Sequence, residues 1–329
     1  ETALELEADR MTNSLFDPLE VETERTVIIS EREGSENDPQ FLLNEAVQAH
    51  AFKHHPYRNE VIGSKEDLLA LTREDLYTHY RQTYQPANAI LCIAGDFNTS
   101  EALCLVEKHF GSIPAGKVVK NIPEPEDDLP ELSQLELQGP GETTFIQVAY
   151  RSPKADSDDF FAFSLMESLL TGPSNLNMFG SGGVGHHTSR LYLAMVDEGL
   201  AAGVGGSLSA NIDPSTFTLY LTKNPTRTIE EVLQTLDSQI EALQSQPISQ
   251  TEIDRALKQT KALFAYSSDN ITNQAFWMGY ASSFARYDWF THYVDRISSV
   301  TPEMIQSIAQ KYLQPHARVI GVYQPKDGN

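Results

Sequence analysis

Residues 71–93 recur at 300–322 without a gap, at an offset of 229 (300 minus 71). The first copy reads LTREDLYTHYRQTYQPANAILCI and the second VTPEMIQSIAQKYLQPHARVIGV. Thr72/Thr301, Glu74/Glu303, Gln85/Gln314 and Pro86/Pro315 are identical, and Leu76/Ile305, Ile90/Val319, Leu91/Ile320 and Ile93/Val322 exchange one apolar side chain for another. Both copies spell a Thr N-cap, an acid in the first turn, an amphipathic helix, a Pro stop and an apolar strand. The chain has 329 residues, too few for two full repeats of that length. If the second copy opens near Glu142, the first is expected to open at 142 minus 229, roughly 90 residues ahead of Glu1. The first domain is therefore expected to lack its front.

The length suits two domains, each with its own core. Hydrophobic residues make up 40% and charged residues 21% of the chain, as in a soluble globular protein. No apolar run approaches the roughly 18–20 residues of a membrane span. The net charge of −22 repels phosphates and argues against a nucleic-acid partner. Cys92 and Cys104, in a predicted strand and the helix after it, read as free thiols. The first residue is Glu rather than Met, and nothing in the sequence assigns a compartment.

Helices are predicted at 2–11, 17–33, 38–52, 64–71, 72–84 and 99–110, with a strand at 89–95. The second helix has a strong start: Asp17 as N-cap, Pro18 in the first turn and Glu20 behind the cap. Residues 115–141, with four prolines among acids, read as a linker between a first domain at 1–114 and a second at 142–329. The second domain is expected to open with a strand at 143–150 and a helix at 156–170. A glycine-rich loop at 180–185, a helix at 188–198, a hairpin of 206–211 with 215–222, and long helices follow. The repeat closes it with helix 301–313 and strand 318–323. Strands and helices in this order suggest α+β, with helices over one face of a sheet.

The densest chemistry lies on the predicted helix 17–33. Glu24 and Glu31 are seven residues apart, two helical turns, so both carboxylates project from one face. One could ligate a cation while the other supports it; an exposed acidic stripe is the plain alternative in a chain with 46 acids. Gly180, Gly182, Gly183 and Gly185 formally contain G-x-G-x-x-G, but Pro and Asn precede them where a strand is needed, so a substrate-contacting or hinge loop fits better than a phosphate site. His50 and His54 have zinc-like spacing without a completing ligand, and His55 ahead of Pro56 suggests a capping or packing role. His186 and His187, being adjacent, point apart. No G-x-S-x-G elbow, Walker loop or paired C-x-x-C is present.

The segments LELEADRMTNSLFDPLEVETERTVIISERE at 4–33, HPYRNEVIGSKEDLLALTREDLYTHYRQTYQPANAILCIAGDF at 55–97 and TSRLYLAMVDEGLAAGVGGSLSANIDPSTFTLYLT at 188–222 resemble the insulinase/pitrilysin family of zinc peptidases, especially the bacterial members similar to mitochondrial processing peptidase. The likeness covers nearly the whole chain in family order. It implies two tandem, related α+β domains and a zinc-dependent metalloendopeptidase. The family's zinc site joins an H-x-x-E-H motif to a more distant glutamate.

That glutamate matches Glu31, and Glu24 matches a second, supporting one. H-x-x-E-H is absent and is expected upstream of Glu1, so this chain should be inactive alone. The Arg and Tyr with which many relatives grip substrate align with Met195 and Ala202, a pattern of the zinc-bearing subunit in two-chain members. The resemblance implies Zn2+ in the parent protein, a peptide or unfolded-protein substrate, and a homo- or heterodimer with a related subunit. The glycine loop resembles in place that of the processing peptidase's non-catalytic subunit, which keeps a non-catalytic partner or peptidase-like scaffold as the alternative.

Overall fold

The computed structural model describes residues 1–119, 123, 124, 126, 132–173 and 187–326. They form two compact units, one of Glu1–Asn37 with Glu60–Pro123, the other of Asp38–Asn59 with Glu124–Asn329. Helices α1 (Thr2–Thr12), α2 (Pro18–Ser35), α3 (Pro39–Ala51), α4 (Lys65–Ala70), α5 (Arg73–Thr83) and α6 (Thr99–Phe110) precede the strands β1 (Ser133–Gly139) and β2 (Phe145–Ser152). Then come α7 (Asp159–Thr171), β3 (Ala201–Leu208), β4 (Ser215–Lys223), α8 (Ile229–Ser245), α9 (Gln250–Ser267), α10 (Ile271–Phe284), α11 (Asp288–Thr291), α12 (Tyr293–Ser298), α13 (Pro302–Tyr312) and β5 (Arg318–Pro325). The chain is α+β.

The first unit is helical among its described residues. Asp17 caps α2, its carboxylate accepting from Leu19 N at 2.9 Å and Glu20 N at 3.3 Å, with Pro18 opening the helix. Thr72 and Asp75 cap α5 reciprocally. The turn between α1 and α2 puts Phe16 at φ +51°, a region that disfavours a side chain. Arg73 holds that turn by donating to Phe16 O at 2.9 Å and Leu15 O at 2.8 Å, while the Phe16 ring packs 5.2 Å from Tyr80.

The strand expected at 89–95 does not form. A strand needs a neighbour to satisfy its backbone groups, and no strand of this unit is present among the described residues. Ile90, Leu91 and Ile93 are accordingly 57%, 46% and 39% exposed. The repeat nevertheless holds in the helix before it, since α5 and α13 start and end at the same offset of 229.

The second unit is built on one sheet of order β1-β5-β2-β4-β3, in which β1 and β5 are parallel and the other pairs antiparallel. β2 and β5 are central and covered on both faces, which is why they read as continuous apolar runs. Ile146, Val148, Tyr150 and Ile320 face the large core under α7, α8, α9 and α13. Ala149, Val319 and Tyr323 face the other way, onto Leu43, Val47, Ala51 and Phe52 of α3 and its end.

Three further stretches differ from the sequence reading. Residues 38–59, read as part of the first domain, group with the second unit because α3 buries its apolar stripe on that sheet. Residues 133–139, read as linker, form β1: the alternation of Leu135 and Leu137 with Gln134, Glu136 and Gln138 turns leucines toward α3 and polar groups outward. Instead of a full helix at 188–198 there is a wider π-helical turn, Tyr192–Val196.

Candidate functional site

α2 is amphipathic with its polarity reversed at intervals by charge. Its inward phase carries two arginines. Arg25 donates from Nη1 to Leu68 O and Leu71 O, both at 2.5 Å, and Arg32, 6% exposed, donates to Gly63 O at 3.2 Å. Both bind α2 to the loops around α4. These arginines also take up nearby acids: Glu22 lies 3.1 Å from Arg25 and Glu36 lies 2.8 Å from Arg32, while Glu33 pairs with Lys65.

Glu24 and Glu31 are different, and share this with Glu20 in the first turn. Both are exposed, both lie on one face of α2, and among the described residues neither has a hydrogen-bonding or ion-pair partner for its carboxylate. Glu24 stands at the rim of a cleft of about 660 Å³ walled by Val21, Ile28, Leu68, Leu71 and Leu76. The sequence had singled out neither Arg25 nor Arg32. Their place in the inward phase of an otherwise apolar stripe was the available signal.

His50 and His55 serve the backbone. His50 Nδ1 lies 2.7 Å from Ala46 O. His55 is 5% exposed, accepts from Tyr57 N at 3.2 Å through Nδ1, and places Nε2 3.3 Å from Asp213. The backbone N–H groups of Lys53, His54 and His55 all donate to Glu126 at 2.8 Å. Burial alone would raise the Glu126 carboxyl, but these three donors and the Arg151 charge hold it down at about 2. His187 packs its ring on Tyr192 at 4.5 Å. His186 and the loop Gly180, Gly182, Gly183 and Gly185 lie outside the described residues. Met195 is fully buried and Ala202 is exposed on β3. Among the described residues no three side chains of His, Cys, Asp or Glu converge as a metal site.

A depressed carboxyl contributes stability above its unfolded pKa and loses it as pH falls through the folded one. Glu126 should therefore stabilise the second unit at pH 6, and that contribution should fade between about 5 and about 2. Urea midpoints followed across that range should fall less steeply in Glu126→Gln than in the wild type. Parallel curves would remove Glu126 from the account.

The sequence model of the peptidase M16 inactive domain matches residues 70–260, more than half of the chain, and that of insulinase (peptidase family M16) matches residues 1–65. The chain belongs to the M16 peptidase family. A protein of Mycobacterium leprae (strain TN) named as an uncharacterized zinc protease is 24% identical over 339 residues, covering 99% of this chain and 72% of its own length. A protein of Schizosaccharomyces pombe named as a probable mitochondrial-processing peptidase subunit beta is 26% identical over 269 residues, 80% of this chain and 57% of its own. The crystal structure of a protease from Helicobacter pylori superposes with a TM-score of 0.87 at 23% identity, over 98% of this chain and 76% of that one, a likeness of fold. No described helix of this M16 chain is long and apolar enough to cross a membrane.

Proposed function

We propose that this M16 chain is the larger part of a zinc-dependent metalloendopeptidase acting on peptides or unfolded segments, and that it is inactive by itself. The observation that carries the reading is the pairing of Glu24 and Glu31 on one exposed face of α2, free of partners while Glu22, Glu33 and Glu36 beside them are neutralised. In the parent protein Glu31 would give zinc an anionic oxygen ligand and Glu24 would support it. Bound zinc supplies Lewis acidity toward a peptide carbonyl and a nucleophilic water. The described residues fit only part of such a set, since a catalytic zinc usually needs three protein ligands. What these residues do is hold α2: Arg25 and Arg32 fix its inward side and leave the carboxylate face presented.

The zinc protease and processing-peptidase names of the relatives support this assignment and the expected pairing with a related subunit. The match to the inactive-domain model favours a second reading, a non-catalytic partner that binds substrate or another chain without zinc. Metal analysis separates them in two steps. The 329-residue chain, purified and dialysed, should retain far less than one zinc and cleave no peptide. The parent protein should hold one zinc and cleave. A zinc-free, inactive parent would leave the scaffold reading in its place.

A further inference from the structure

We propose that the turn Lys53–His55 is a carboxylate-binding site of the second unit, filled in this structure by the chain's own Glu126, and that this contact is a releasable strap on the linker. Helix α3 ends at Ala51 and closes with Phe52 N donating to Gln48 O at 3.1 Å. The next three N–H groups donate to no carbonyl among the described residues. Glu126 takes all of them: Oε1 accepts from Lys53 N, and Oε2 accepts from His54 N and His55 N, each at 2.8 Å. Both oxygens of a planar carboxylate are thus matched. The dipole of α3 does not account for this, because a helix C-terminus carries partial negative charge and repels an anion. The three donors and the positive charge of Arg151 hold the carboxylate instead.

The site is built without Glu126. Arg58 donates to Lys53 O at 2.7 Å from its side chain and to His55 O at 3.1 Å from its backbone. The buried His55 ring accepts from Tyr57 N at 3.2 Å and places its other nitrogen 3.3 Å from Asp213. Arg151 donates to Ala51 O at 3.1 Å and lies over the Phe52 ring, 4.6 Å from its centre. None of these bonds passes through residue 126, so the donors stay aimed at one point when that carboxylate leaves. Donors already ordered bind an anion without the entropy cost of assembling them.

The occupant has little other support. On one side of it Val119 N donates to Asn88 at 3.4 Å, and on the other Leu132 N donates to His316 O at 2.8 Å. Of the described residues between them, Pro123, Glu124 and Glu126, the last makes the hydrogen bonds that reach the rest of the chain. A strap of one side chain on a short flexible link competes at an effective concentration on the order of millimolar, and yields to a ligand well above its own match to that value. Glu124, Glu126, Asp127 and Asp128 make the strap an acidic peptide, so an acidic peptide from outside is the occupant that would exchange with it. The site lies in the second unit and needs no zinc, and so goes beyond the peptidase reading.

Nitrogen-15 NMR of the 329-residue chain tests this. Glu126 is half-buried and belongs to neither core cluster, so Glu126→Ala keeps the fold. In that variant the amide protons of Lys53, His54 and His55 should move upfield and exchange with solvent roughly 10–100-fold faster, the effect of losing a charge-assisted bond. Acetate should return all three toward their wild-type positions with one saturating midpoint, at concentrations where chloride of equal ionic strength does nothing. The peptide EPEDDL, the sequence of 124–129, should act likewise at lower concentration, and its amide version QPQNNL should not. In the wild type the same acetate should move these signals about tenfold less, because the site is filled in cis. Amides unchanged by Glu126→Ala, or an acetate response that does not saturate, would overturn the proposal. So would a wild type as responsive as the variant, a peptide no better than its amide version, or sulfate as effective as acetate, which would make the turn a site for anions in general.

Discussion

Glu31→Gln in the parent protein should lower zinc occupancy and peptidase activity together, by orders of magnitude, with the fold nearly unchanged. The substitution keeps size and helix propensity and replaces an anionic oxygen by a neutral amide, a weaker partner for a divalent cation. In the 329-residue chain Glu31 is exposed and without a partner among the described residues, so there the substitution loses no buried contact and should change stability by no more than about 0.5 kcal/mol. Glu24→Gln should cost activity more than metal, on the order of 10–100-fold, as expected of a group that orients a ligand rather than binding the ion. Glu33→Gln is the control. It breaks only the exposed ion pair with Lys65, an interaction generally worth about 0–1 kcal/mol, and points roughly 200° round the helix from Glu31. Metal content by emission spectroscopy and turnover of an unstructured peptide are the two readouts. Sensitivity at Glu33 with silence at Glu31 would mean the register is wrong; silence at all three would leave no zinc role for α2.

The parts of this chain that were legible in the sequence are those fixed locally. Asp17-Pro18 and Thr72 declare their helices because caps act within one turn, and the structure starts α2 and α5 where those residues say. The segment 89–95 reads as a strand on equally good composition, yet composition cannot supply a neighbouring strand, and without one the backbone stays unpaired. β1 was hidden for the opposite reason: five polar or small residues and only two leucines make a weak run, and its partner β5 lies some 185 residues away. Proximity in sequence does not say where α3 packs, since its stripe Leu43, Val47 and Ala51 states that it must be covered but not by which sheet. On the candidate site, seven-residue spacing puts Glu24 and Glu31 on one face of α2 because a helix is periodic. That Glu22, Glu33 and Glu36 are neutralised while Glu24 and Glu31, like Glu20, are not could be seen only once Arg25, Arg32 and Lys65 had positions.

The attachment of α3 to the second unit predicts an unusual product of limited proteolysis. The first unit exposes Ile90, Leu91, Ile93 and the face of α2 to solvent, and local opening there should admit protease first. Cuts near 37 and within 60–119 free α3 from the chain on both sides, yet the helix should stay bound to the fragment that begins near Leu132. Leu43, Val47 and Phe52 are fully buried. Gly321 lets α3 lie close to the sheet, since a Cβ there would fall 2.5 Å from Val47 and 2.9 Å from Leu43. Polar contacts fix the helix further: Gln48 donates to Thr216 at 2.9 Å, and Arg151 donates to Ala51 O at 3.1 Å while covering the Phe52 ring. Leu43→Ala should then cost about 2–5 kcal/mol. In the nicked protein that loss falls on association, so the peptide's dissociation constant should rise by roughly 30-fold to several thousand-fold. Size-exclusion chromatography with mass spectrometry decides it. The wild-type peptide should co-elute with the large fragment and the Leu43→Ala peptide should separate. Loss of the wild-type peptide under the same conditions would mean that α3 is held by chain continuity rather than by its contacts with β2 and β5.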